Sequence, residues 1–301
     1  MSKRTVQVFQ VDAFTRQVFA GNPAGVVLGA EVLQDAEMQA IARELNNSDT
    51  AFLLPASGAD HDLHVRFFTP VREAMFVGHA TVAVHAARLA VGQGKPGRVR
   101  QKSRAGIYEV DVSGTAEDPA VSVTIPSPPI HAPIDDAARR KLLDVLDIDT
   151  ASLDPKCPIQ VVGRNNTRLA IGLRSDEQLA HLSPDLEALK KLTPHVGADG
   201  FFLFVRDAHG PGTIEARLFS PVLGIPEDPV SGNAYGMLGA YLAQHGLLPM
   251  EDGRAKFVGY QGRSLHRPGE VHVEVEAAGG QVKGVRISGT ARMVFRTELT
   301  L

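Results

Sequence analysis

The stretch "FTPVREAMFVGHATVAVHAARLAVG" (Phe68–Gly92) is written a second time as "FSPVLGIPEDPVSGNAYGMLGAYLAQHG" (Phe219–Gly246). Working outward from it, Asp35, Glu37, Asp49, Phe52 and Leu53 find partners 150 residues on, at Asp185, Glu187, Asp199, Phe202 and Leu203. Arg66, Phe68, Pro70 and Val71 find theirs at a shift of 151, in Arg217, Phe219, Pro221 and Val222. Gly78, Ala80 and Gly92 find theirs at 154, in Gly232, Ala234 and Gly246. The shift grows in one direction only, as in two copies of one unit separated by small insertions. The last insertion brings "PEDPVSG" just before Gly232, which the first copy lacks.

Both repeated segments read as helices. In 79–91 the polar residues after His79 are Thr81, His85 and Arg88, and almost all the remaining circumference is apolar. In 233–243 nearly every residue is apolar, and Gly236 and Gly239 leave one flank bare for close packing. A helix apolar nearly all round is a buried helix, and segments this short fall below the ~20 residues of a membrane span. Strands are expected at 5–11, 24–28, 51–55, 63–68, 98–102, 106–112, 119–125, 158–163, 168–173, 200–206, 213–219, 271–276, 282–288 and 291–298, rich in β-branched and aromatic residues between Gly, Pro, Asn and Asp. Amphipathic helices are expected at 35–45, with Asp35 as cap or first-turn acid, and at 184–192, with Pro184 at its start. The pattern predicts an α+β protein of two pseudo-symmetric domains, each a curled sheet or barrel around a central helix. Residues 1–125 form the first half, the proline-rich 126–134 a linker and 135–288 the second half.

Composition narrows the function. The 301 residues carry a net charge of −3, with no basic footprint for nucleic acid or an anionic membrane surface. The N-terminus lacks the apolar run and cleavage site of a signal peptide. The single cysteine, Cys157, allows no internal disulfide, which points to the cytoplasm.

Chemistry is expected where the central helices begin, at Gly78–His79 and Gly232–Asn233. The first N–H groups of a helix lack internal partners, and the macrodipole adds about half a positive charge there. Two such starts facing each other across a cleft would hold a small carboxylate and offset negative charge developing beside it. Asp49 in "NNSDTAF" reads as a turn residue or as a carboxylate base at that cleft; its mate Asp199 reads as a turn residue. Asp228, in the inserted loop, is a candidate of the same kind, with loop bracing as the plainer role. "GQGKPG" (92–97) leaves a helix and enters a strand, the reverse of a dinucleotide motif. His61, Asp62 and His64 read as a solvated turn rather than metal ligands, and Arg98, Arg100, Lys102 and Arg104 as the wet face of a strand. Neither helix start carries the cysteine that a Cys-pair racemase needs.

The segments "VDAFT", "GNPAGVVL", "MQAIAREL", "SDTAF", "RFFTP", "GHATVA", "FSP", "EDPVSGNA", "QGR" and "SGTA" resemble the PhzF family of phenazine-biosynthesis isomerases, in its YddE-like branch, across essentially the whole chain. The resemblance implies the diaminopimelate epimerase-like fold, with the active site between two similar domains. It further implies that the C-terminal strand (289–301) returns to the first half and that the protein can form a homodimer. It implies proton transfer on a small carboxylate without metal or cofactor. It assigns the catalytic roles to Asp49, His79 and Asp228, and substrate binding to Asn22, Gly78, Gly232, Asn233 and Gln261. Two positions depart from the family: Asp49 stands where the family carries Glu, and Asn233 where it carries Ser. Both changes argue against the phenazine precursor as substrate. A cofactor-independent isomerase is the reading that follows. An epimerase or dehydratase on the same scaffold, and a binding protein that has lost catalysis, are the alternatives.

Overall fold

The computed structural model describes residues 4–164 and 166–301. The chain divides into two compact units, one running to Thr124 and taking back Ser288–Leu301, the other Ile125–Ile287.

The first unit is built from β1 (Thr5–Ala13), β2 (Asn22–Leu28), α1 (Asp35–Leu45), β3 (Thr50–Pro55), β4 (Leu63–Phe68), β5 (Glu73–Ala74), α2 (Gly78–Ala90), β6 (Gly97–Ser103), β7 (Gly106–Gly114) and β8 (Pro119–Pro126). β1 pairs antiparallel with β2 and, on its other side, with the C-terminal strand Gln281–Thr300, from Thr5↔Thr300 to Ala13↔Ala291. β2 and β3 run parallel, as do β4 and β6, because α1 and α2 are the crossovers between them. β3–β4, β6–β7 and β7–β8 are antiparallel. β8 pairs with the C-terminal strand and closes a ring of eight strands, which removes the exposed edges an open sheet would leave. α2 fills this ring: all its residues except Arg88 and Ala90 are buried. Its run of Ala80, Ala83, Ala86 and Ala87 keeps the rod thin enough to fit inside.

The second unit repeats the plan with β9 (Ile130–Pro133), α3 (Asp136–Leu146), β10 (Gln160–Val162), β11 (Arg168–Leu173), α4 (Asp176–His181), α5 (Leu186–Val196), β12 (Gly200–Arg206), β13 (Thr213–Ser220), β14 (Ile225–Asp228), α6 (Gly232–Gln244), β15 (Arg254–Gln261) and β16 (Gly269–Ala278); the C-terminal strand is β17 (Gln281–Thr300). β11–β12 and β13–β15 are its parallel pairs, matching β2–β3 and β4–β6. α6 is buried nearly all round, and its glycines are close-approach points. A Cβ on Gly236 would stand 2.6 Å from Ile125 Cδ1, and one on Gly239 3.0 Å from both Val273 and Val275. α3, α4 and α5 instead bury one stripe each against a common core, through Leu142, Leu179 and Leu189.

Several details differ from the sequence expectations. The helix placed at 184–192 is Leu186–Val196, because Asp185 caps it by accepting from the N–H groups of Glu187 and Ala188; Pro184 precedes the cap. β15 and the helices α3 and α4 were not expected at all. The break expected between 288 and 291 is absent and β17 runs through it. Gly289 there makes no turn; it leaves room for the Phe14 ring, which a Cβ would strike. The proline-rich stretch contains β9, paired with β10.

Candidate active site

In the first unit, α1 ends on Asn46 in the left-handed conformation, at φ 52°. The chain turns through Asn47 and Ser48 into β3, and the N–H of Gly25 on β2 donates to the Asp49 carbonyl at 3.2 Å. This pins Asp49 immediately before β3. Its carboxylate is directed at the start of α2: Asp49 Oδ2 lies 3.8 Å from His79 Nε2, with the two side chains 12% and 9% exposed. Ser48 Oγ lies 3.4 Å from the same nitrogen. At 3.8 Å the carboxylate and imidazole fall outside hydrogen-bond reach. Burial lowers the His79 pKa to about 4, so the cost of desolvating an imidazolium outweighs the pull of the nearby carboxylate, and His79 is neutral at pH 7.

The start of α2 is chemically bare in another respect. Its N-cap position is Val77, which offers no side-chain acceptor to the first-turn N–H groups. Ser, Thr, Asp or Asn would ordinarily occupy that position. Gly78 and His79, both buried, are therefore the first residues of an electropositive helix end with no cap of its own. Asn22 is fully buried at the start of β2, opposite Ala13.

In the second unit the corresponding start is braced. Ser231 Oγ accepts from the Ala234 N–H at 3.3 Å and caps α6. Gln261, buried at the end of β15, accepts from the Ser231 N–H at 3.2 Å and donates to the Asp228 carbonyl at 2.6 Å. Both ends of its amide therefore hold backbone, and they string the loop Asp228–Ser231 between them. Gly232 is buried; Asn233 and Asp228 are half-buried. Beside Asp228, Glu227 makes a two-pronged ion pair with Arg217, at 2.8 and 2.9 Å. Its repeat mate is the pair Glu73–Arg66, at 2.9 and 3.0 Å. This recurring pair fixes β5 and β14, the short strands that lead to the two helix starts.

The structure thus brings Asp49 together with His79 and Gly78 in one unit, and Asp228 with Gln261, Gly232 and Asn233 in the other. Asp199 braces a turn, accepting from the Thr167 N–H at 2.8 Å and hydroxyl at 3.1 Å. His61 is held within its own loop by Ser57 and Asp60, and Asp62 by Arg100. Sequence reasoning missed Ser231, although a serine three residues before the N–H it caps is a recognisable helix-start signal. It missed Ser48, whose hydroxyl oxygen lies 3.4 Å from His79 Nε2, and the Arg–Glu pairs, whose spacing of 7 and 10 residues carries no motif.

A carboxylate and a neutral imidazole, buried together at an uncapped helix start, can remove a proton from a bound carbon acid and return one elsewhere. Comparisons with known proteins give the family and the class of enzyme. The PhzC-PhzF family model, described as "Phenazine biosynthesis-like protein", matches residues 11–297. The "Uncharacterized isomerase YddE" of Escherichia coli K12 is 40% identical over 293 residues, covering 97% of each chain. The "Trans-2,3-dihydro-3-hydroxyanthranilate isomerase" of Pseudomonas aeruginosa is 30% identical over 281 residues, covering 93% of this chain and 94% of that protein. The crystal structure of a Bacillus anthracis PhzF-family phenazine biosynthesis protein superposes with a TM-score of 0.87 at 26% identity, covering 99% of this chain and 100% of that one. The fold is the diaminopimelate epimerase-like one, and the protein is an enzyme of the isomerase class. More narrowly, the chain belongs to the PhzC-PhzF family.

Proposed function

We propose that this isomerase shifts a proton on a small carboxylate substrate without metal or cofactor. The observation that carries the reading is the placement of Asp49 beside neutral His79 at the uncapped start of α2. Asp49 takes the proton from a carbon next to an unsaturated or carboxylate group. The N–H groups at Gly78 and His79 offset the negative charge that builds on the substrate. His79 orients the base or donates a proton to the developing anion. Asn22, fully buried at the start of β2, takes a polar group of the substrate. The buried, single Cys157 supports a reducing, cytoplasmic setting.

Asp49 in place of Glu shortens the base by one methylene, and proton transfer needs heavy-atom reach of about 2.6–3.2 Å. The substrate accordingly sits deeper against β3 than a Glu would require, which argues for a compound other than trans-2,3-dihydro-3-hydroxyanthranilate. The test is incubation with that compound and with small cyclic and amino-acid-like unsaturated carboxylates in deuterated water, followed by NMR. A displaced double bond with deuterium at the new position supports the isomerase. Inversion at one carbon with exchange there assigns an epimerase instead. Tight binding with no exchange on any probe assigns a binding protein and rejects the reading.

A further inference from the structure

Four side chains of the first unit, three of them buried inside its ring, form one unbroken hydrogen-bonded line. Arg88 Nη1 lies 3.2 Å from His85 Nδ1, and His85 Nε2 lies 2.9 Å from Gln101 Oε1. Gln101 Nε2 lies 3.2 Å from Thr81 Oγ1, which in turn lies 2.9 Å from the carbonyl oxygen of Val77. Thr81, His85 and Gln101 are all at most 1% exposed, so water does not compete for these contacts.

The line has a direction, set at one end. A guanidinium has donors only, so His85 Nδ1 must accept from Arg88. Burial, reinforced by the Arg88 charge, lowers the His85 pKa to about 4, so the ring is neutral and carries its proton on Nε2. That proton goes to Gln101 Oε1, which turns the amide NH₂ toward Thr81. The Thr81 hydroxyl accepts from that NH₂ and gives its own proton to the Val77 carbonyl. Arg88 is held in turn by the Gln93 carbonyl at 3.3 Å, just beyond the helix.

The far end of the line is the peptide that opens α2. The Val77 carbonyl receives the Thr81 hydroxyl at 2.9 Å and the Thr81 N–H at 3.0 Å. A trans peptide is planar, with C=O and N–H pointing opposite ways. Fixing the Val77 oxygen inward along the helix fixes the Gly78 N–H outward, beside His79. A threonine bonding four residues back is common in helices. Here the hydroxyl is not a free rotor, because a buried chain anchored on a cation orients it.

We infer that Arg88, His85, Gln101 and Thr81 are positioning residues that aim the Gly78 N–H at the substrate's anionic oxygen. The inference rests on the proton-transfer reading above and assigns it a donor held in place from 10 residues down the helix. Two measurements test it in the full-length protein. Histidine ¹⁵N NMR at pH 7 should find His85 neutral with its proton on Nε2; a proton on Nδ1, or a charged ring, overturns the line. The Gly78 amide resonance should move in Thr81→Val and in the partly exposed Arg88→Met, and stay near its wild-type position in Thr81→Ser. An unmoved Gly78 amide in a folded Thr81→Val protein overturns the proposal. On a turned-over substrate, Thr81→Val should lower kcat about 10-fold or more with a smaller change in KM, with activity restored in Thr81→Ser; an unchanged kcat also overturns it. If wild type shows no turnover while the Gly78 amide still responds to Thr81, the proton-transfer reading fails and the line stands.

Discussion

Arg168 on β11 lies across Gly200 on β12: a Cβ at Gly200 would stand 3.0 Å from Arg168 Cδ and would overlap Ser220 Oγ. The two residues are register partners. In the first unit the same register pairs Gly25 with Thr50, so the glycine changes strand between the copies. Where the first unit has a hydroxyl over a glycine, the second has a buried guanidinium over one. Arg168 Nη1 donates to the Asn166 and Thr167 carbonyls and to the Asn166 side chain, at 2.7–3.2 Å. Burial lowers its pKa to about 10, against the opposing pull of Asp228 and Asp199. Gly200→Ala is expected to lose about 1–3 kcal/mol in urea denaturation, by displacing the arginine and the serine together. A loss under about 0.5 kcal/mol would mean that the contact is loose.

His79 and His85 link stability to pH. Both are buried and neutral, with folded-state pKa values lowered from 6.5 to about 4. Between those values the unfolded chain binds protons that the folded protein refuses. Stability is therefore fully present above about pH 6.5 and is lost as pH falls toward about 4, by on the order of 3 kcal/mol per histidine. Denaturant midpoints should fall across that window, and less steeply in His79→Gln. A flat profile from pH 7 to 4.5 would contradict the burial argument.

The same neutrality bears on turnover. A histidine that stays neutral to about pH 4 gives no inflection near 6.5 in the pH dependence of kcat/KM. His79→Gln is expected to lower kcat about 10²-fold and to leave the profile between pH 5.5 and 7.5 unchanged in shape. An inflection near 6.5 that vanishes in the variant would show that His79 titrates in the working range.

Tyr235 on α6 packs against Gly259 of β15, so near that a Cβ there would overlap its ring. The tyrosine hydroxyl donates to the Tyr260 carbonyl at 2.5 Å, which holds the ring in place. Gly259→Ala should therefore cost about 3 kcal/mol or more, at the upper end of overpacking effects, with the fold of the first unit unaffected. Thermal unfolding measures the first part and amide NMR spectra the second. Wild-type stability in this variant would mean that the ring has somewhere else to go.

The sequence made the two central helices legible because an all-round apolar rod can only be buried, and it made their common origin legible through one slowly growing shift. Gly236 and Gly239 were readable as a bare flank. Gly289 was not, because a glycine inside a strand pattern looks like a turn until the Phe14 ring is seen against it. β15 was missed although Ala255, Phe257, Gly259 and Gln261 alternate inward; a glycine and a glutamine among the inward positions dilute the apolar signal. α3 was missed for a different reason: it lies outside the paired segments, and its stripe of Ala138, Leu142, Leu143 and Leu146 is plain only in isolation. Asp49 and His79 are 30 residues apart in sequence. No local pattern joins them; their contact is a product of the β2–β3 pairing and the ring that encloses α2.

The central claim is that the Asp49 carboxylate moves the proton. It is tested most directly by solvent deuterium incorporation into a carboxylate probe on which wild type shows exchange, compared in wild type and Asp49→Asn at equal concentration of folded protein. The account predicts that the variant still binds the probe and that its exchange falls at least 10²-fold. Exchange at the wild-type rate in folded Asp49→Asn would contradict it.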